Sequence, residues 1–334
     1  MPKEYAPTGS PRLKLVAAFL AVYIIWGSTY LAIRFAVETM PPFLMAGARF
    51  FIAGTLLYIW ARLRGAARPN AINWRSAAVV GGLLLLGGNG MVSWAEQSVP
   101  SSLAALLIST VPLWMAIIEW LRPGGVRPSL PVVCGLLLGF VGVALLFGPG
   151  TLVGTTAGAG ASLIGVVVIL LASWSWASGS LYSRTAPLPA SAPLSNGMEM
   201  LAGGALLLIL GLATGEAGQV QLAQVSLRSV LALLYLVIFG SIVAFSAYIW
   251  LLKTSTPSRV GTYAYINPIV AVLLGVAFNG ERLTPLTLVA AGVIVAGVVV
   301  ITTFRTRTPP PVRPAAPAPD TLPEESALAG TQRR

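Results

Sequence analysis

Polar and aromatic side chains recur inside the apolar stretches of this sequence, and their types suit holding a small solute better than breaking a bond. Trp26, Ser28, Thr29 and Tyr30 cluster around a bend-permitting Gly27, and Trp174, Ser175, Trp176, Ser178 and Ser180 form a second cluster. Asn89 stands between two glycines with Trp94 one turn on. Thr110 precedes Pro112, Tyr248 lies further along, and Tyr263, Tyr265 and Asn267 precede Pro268. Rings and small hydroxyl or amide groups on apolar helices fit an amino acid, a nucleobase or a planar drug equally well. The alternative use of such groups is to glue helices together, and Asn89 fits either use. A proline removes a backbone hydrogen bond, so Pro112 and Pro268 mark hinges beside a site or plain kinks.

Charge inside apolar stretches is rarer and more costly. Arg49 and Glu199 are candidates for a gate or a counter-charge to a zwitterionic solute, against local hydrogen bonding or snorkelling to the interface. Glu96 is a candidate proton sensor at an exit, against a solvated helix cap. Without histidine, Glu96, Glu119 and Glu199 are the carboxylates in or near the spans able to couple transport to protons. No carboxylate falls at the middle of a span, which leaves exchange and facilitated diffusion open.

Several chemistries lack their residues. Histidine is absent and Cys134 is the single cysteine, so neither a metal cluster nor a disulfide framework is expected. No paired carboxylates at metal-binding spacing and no nucleophile elbow occur, which argues against an integral-membrane enzyme acting on lipid. A passive channel would need a filter or charge ring, and none is visible. Gly81-Gly82 and Gly87-Gly88 lack the lysine of a P-loop, so ATP drive is unsupported. No cofactor is expected.

These groups must be positioned by membrane helices. The 334 residues are 56% hydrophobic and 9% charged, with mean hydropathy +0.82, whereas a soluble domain carries roughly 25% charged residues. Apolar runs long enough to cross a hydrocarbon core of about 30 Å are expected near 13–37, 42–62, 75–95, 101–121, 131–148, 161–181, 193–214, 229–252, 259–279 and 285–304. The net charge of +11 does not form a patch for nucleic acid; the basic residues sit in the gaps between runs. Seventeen of the 21 Lys and Arg fall on one side and two, Arg228 and Arg282, on the other, with Arg34 and Arg49 inside spans. That bias predicts both termini in the cytoplasm. The opening run is too long for a signal peptide, so it is taken as an uncleaved first span.

A shift of 150 residues superposes Trp26, Ser28, Leu31 and Arg34 on Trp176, Ser178, Leu181 and Arg184, Gly47 on Gly197, Gly54 on Gly204, and Arg49 on Glu199. Further along, at a larger offset, Pro100-Ser101 resembles Pro257-Ser258, and Pro112 resembles Pro268 at an offset shorter by one. The expected fold is therefore an all-α membrane protein of ten transmembrane helices in two inverted five-helix repeats, because an odd number of spans per half turns the second half over. The expected organisation is a cytoplasmic segment 1–12, a first repeat 13–148, a periplasmic linker 149–160, a second repeat 161–304 and a disordered Pro-rich cytoplasmic tail 305–334.

The motifs YIIWGSTYLAIR, PPFLMAGARFFIAG, NGMVSWAEQSVPSSLAALLISTVPL and TYAYINPIVAVLLGVAFNGERL resemble those of the EamA family of the drug/metabolite transporter superfamily, over roughly 13–304. The resemblance implies two inverted repeats and export of amino acids, related metabolites or drugs across a bacterial inner membrane. The acidic residue that commonly follows the ninth span is present as Glu281. The matching place after the fourth span reads Arg122-Pro123-Gly124-Gly125, a departure that loosens that end of the first repeat. The implied partners are a small solute and membrane lipid.

Overall fold

The computed structural model describes residues 11–123, 125, 127–152, 162–254, 263–281 and 284–304. Most of the segment 1–12, most of the linker 149–160 and the whole tail 305–334 lie outside the described residues, as does the side chain of Tyr265.

The described residues are helices joined by short turns, with no strand among them. In lipid every backbone group must be satisfied within its own segment, and a helix does this locally. Seven helices are long and apolar enough to span: α1 Arg12–Ala36, α2 Pro42–Leu63, α3 Ala71–Ala95, α4 Ser101–Leu121, α6 Leu163–Ser183, α7 Ala192–Ala213 and α8 Leu227–Tyr248. Three more, α5 Leu130–Leu152, α9 Tyr263–Asn279 and α10 Pro285–Phe304, are shorter in their apolar described parts. They stand where the fifth, ninth and tenth spans are expected. Side chains such as Leu163, Ile209, Leu273 and Leu288 are exposed, as lipid-facing residues are.

Small residues set the closest crossings. α2 packs on α7 with Gly47 and Gly54 facing Gly204 and Gly197; a Cβ on Gly54 would stand 2.6 Å from the Leu201 nitrogen, and one on Gly204 2.6 Å from the Phe51 nitrogen. α5 packs on α10 in the same way, through Gly135, Gly139 and Gly297. Without side chains the backbones approach closely and gain van der Waals contact, the main attraction between helices in lipid. α2 and α7 also end alike, each followed by a left-handed glycine, Gly65 (φ +84°) and Gly215 (φ +79°), which closes the helix at no steric cost. These two glycines are again 150 residues apart.

Several helices depart from regular geometry near the bundle centre. Ala21–Trp26 in α1, Gly82–Gly90 in α3 and Leu236–Val243 in α8 are wound as wide π turns. α4 is broken between Ile108 and Val111, and Pro112 opens its second half, where a proline has no hydrogen bond to lose. Pro268 instead lies inside α9.

Candidate functional site

The wide turns meet at a central cavity of about 70 Å³. An engineered cavity of about 150 Å³ admits benzene, so the space here suits a few water molecules. Its lining comes from both halves of the chain: Trp26, Thr29 and Tyr30 of α1, Arg49 and Phe50 of α2, Gly88 and Asn89 of α3, Trp176 of α6, Gly240 and Phe245 of α8, and Tyr263 and Asn267 of α9.

Trp26 organises the aromatic wall. Its ring lies 6.3 Å from Trp176 and 5.5 Å from Tyr263, both edge to face, and 4.8 Å from Tyr248. Its Nε1 donates to the Gly240 carbonyl at 3.2 Å. The tryptophans matched by the 150-residue shift thus meet across the cavity rim. Asn267, with its amide turned to donate, reaches the Tyr23 and Tyr263 carbonyls at 3.2 and 3.3 Å and ties α9 to α1.

Arg49 is 4% exposed, so snorkelling to the interface does not describe it. Its Nε donates to Ser241 Oγ at 2.9 Å and its guanidinium lies 4.6 Å from the Phe50 ring centre. The missing side chain of Gly240 leaves it room, for a Cβ there would stand 3.0 Å from Nη2. Glu199, the matched position in α7, is 5% exposed, accepts from Ser195 at 3.1 Å and is absent from the described lining.

Other expected residues fall away from the cavity. Ser28 shares a 2.6 Å hydrogen bond with Tyr235 and donates to the Ile25 carbonyl; Thr110 donates to the Leu107 carbonyl at 2.6 Å. Ser178 donates to the Trp174 carbonyl, Trp94 packs against a buried apolar cluster that includes Leu106, Leu107 and Ile169, and Tyr248 stands against Trp26. The sequence reading missed Ile33, Phe50, Val92, Gly240 and Phe245, apolar positions with no local mark.

Glu96 corrects the expectation of a solvated cap. It is 0% exposed, and neither carboxylate oxygen has a hydrogen-bond partner among the described residues. Arg34 donates to its backbone carbonyl. It follows the last residue of α3, and burial first, then the charge of Glu281, push its carboxyl well above the usual range against the pull of Arg34 and Arg49. Glu281 behaves oppositely. Its carboxylate accepts from the backbone nitrogens of Ser101 and Ser102 at 2.9 and 3.1 Å, from both serine hydroxyls, and from Asn279. Burial raises its carboxyl, but these donors prevail and hold it below the usual range. The arrangement clamps the N-terminus of α4, where a helix favours negative charge. Glu216 does the same for α2, accepting from Phe43 and Leu44 nitrogens at 3.2 and 2.8 Å.

The model of the EamA-like transporter family matches residues 13–148 and 163–303. The chain belongs to that family. Among EamA-like relatives, the Escherichia coli K12 protein named "Uncharacterized inner membrane transporter YedA" is 42% identical over 291 residues, covering 87% of this chain and 91% of its own. A second Escherichia coli K12 protein, "Probable amino-acid metabolite efflux pump", is 24% identical over 295 residues, covering 83% and 91%. A crystal structure at 22% identity and TM-score 0.61, covering 89% of this chain and all but 1% of its own, shares the fold. This EamA-like chain is a multi-pass membrane transporter.

Proposed function

We propose that the protein is a secondary transporter that exports small metabolites, amino acids or their relatives foremost, across the bacterial inner membrane by alternating access to the central cavity. The observation that carries the reading is a cavity lined by both halves of the chain, with Trp26, Tyr30, Asn89, Trp176, Tyr263 and Asn267 as its polar and aromatic lining. An inverted repeat gives such a site two equivalent ways to open. The names of the Escherichia coli relatives support an inner-membrane setting and an amino-acid class of solute. The bias of Lys and Arg, seventeen against two, supports cytoplasmic termini. Arg49, Glu96 and Glu199 are the charged groups offered for gating, and Pro112 and Pro268 the hinges.

Purified protein in liposomes tests this, with a panel of labelled amino acids, neutral drugs and cationic drugs supplied with and without a pH gradient. Saturable uptake and counterflow, lost in Trp176→Ala, are expected. Uptake that rises linearly with concentration would mark a channel instead.

A further inference from the structure

Among the described lining residues Arg49 is the only charged one. A guanidinium carries five N–H donors, and the described contacts of Arg49 use one, the Nε bond to Ser241 at 2.9 Å. Nη2 passes over the bare Cα of Gly240, the cation rests on the Phe50 ring, and Nη1 and Nη2 have no acceptor among the described residues. Among the described residues no carboxylate forms an ion pair with the Arg49 guanidinium. Glu96 lies within electrostatic reach, yet it is fully buried with no donor on either oxygen, a setting in which a carboxyl keeps its proton. Glu199 is occupied with Ser195. A buried cation without a counter-ion is unstable unless something brings the anion.

We infer that the solute brings it: Arg49 is the receptor for a carboxylate on the transported molecule, held by the Nη pair, while the rings of Trp26, Trp176 and Tyr263 take its apolar body. This rests on the transport reading above and narrows it to carboxylate-bearing solutes. Cations without a carboxylate, which a purely aromatic cavity would admit, are disfavoured here by the like charge. A planar, two-toothed match is what arginine supplies and lysine does not.

The test compares matched probes on the full chain in liposomes: phenylalanine, tryptophan and leucine against their carboxamides, with phenethylamine and 3-phenylpropionate as the amine-only and acid-only forms. Quenching of intrinsic tryptophan fluorescence reads binding independently of transport. Each acid is expected to bind about tenfold to a hundredfold more tightly than its amide, the range for losing hydrogen bonds to a charged group. That preference should disappear in Arg49→Gln and be partly restored in Arg49→Lys. Amides or phenethylamine taken up as well as the acids, or an unchanged preference in Arg49→Gln, would overturn the inference and leave the transport reading intact. Should Arg49→Gln fail to insert, the acid-to-amide ratio on the unaltered protein decides alone. No uptake of any probe, acid or otherwise, together with no uptake of the wider drug panel, would overturn the transport reading itself.

Discussion

Gly54 of α2 rests against Gly197 of α7, and the contact is the same in both directions: a Cβ on Gly54 would stand 2.9 Å from the Gly197 carbonyl oxygen, and one on Gly197 3.1 Å from that of Gly54. Since Gly54 matches Gly204 and Gly47 matches Gly197 in the 150-residue shift, this contact is converted by the repeat into the one between Gly204 and Gly47. A self-complementary crossing of this kind is what a two-fold operation produces.

The crossing tolerates no side chain. Gly54→Ala and Gly197→Ala should each destabilise the protein by about 1–3 kcal/mol, the range for overpacking, and Gly54→Val should abolish folded yield. Thermal unfolding of the detergent-solubilised protein measures this. Gly218, where an added Cβ meets open space, should accept alanine with no loss.

Trp26 joins a ring cluster to a carbonyl, so its two roles separate by substitution. Trp26→Phe loses the bond to Gly240 and should cost about 0.5–1.5 kcal/mol; Trp26→Ala opens the cavity wall and should cost about 3–5 kcal/mol. Solute affinity should fall in the alanine variant and largely survive in the phenylalanine one.

Ser178 and Trp94 lie off the cavity. Ser178→Ala and Trp94→Phe should leave uptake within about twofold of the unaltered protein, as changes away from a site do. A loss comparable to that of Trp176→Ala would mean that the working cavity is not the one described.

Glu281 and Glu96 respond to pH with opposite signs. Glu281 is held below its ordinary value, so its contribution is present above the unfolded pKa and lost as pH falls through the folded one; melting temperature should drop on acidification below about pH 4.5. Glu281→Gln should flatten that drop and cost about 1.5–3 kcal/mol at neutral pH, the range for hydrogen bonds to a charged group. Glu96 is raised, so the folded protein holds a proton that the unfolded chain has released, and stability should decline as pH rises above the ordinary carboxyl range. Glu96→Gln, a mimic of the protonated form, should remove that decline and be more heat-stable than the unaltered protein at pH 8.

Hydropathy made the spans legible, because lipid demands a long apolar run for each crossing, and the repeat made the glycine pairs legible before any helix was seen to cross. The aromatic face of the cavity followed as well, since Trp26 and Trp176 are both polar-tipped rings at matched positions. Burial of charge did not follow. Nothing beside Glu96 in the sequence says that it will be fully buried with Arg34 of α1 on its backbone carbonyl, or that Arg49 will lie over Gly240 of a helix 191 residues away. Nor does hydropathy distinguish a regular helix from the wide turns of α1, α3 and α8. Ser178 was drawn in by its neighbours' composition, although a hydroxyl in a helix satisfies itself on the carbonyl four residues back, as this one does at 2.9 Å.

The clamp formed by Glu281 on α4 has an energetic meaning under the alternating access proposed above. Under alternating access, two identical halves would make the states open to either side related by the two-fold, equal in free energy and equally populated. The stretch 122–130 after α4 carries no carboxylate with which to return the contact. In that scheme a latch of about 1.5–3 kcal/mol made in one state and not its counterpart would tilt the balance by a factor of about ten to a hundred, and would give the resting protein a preferred side before any solute or gradient acts.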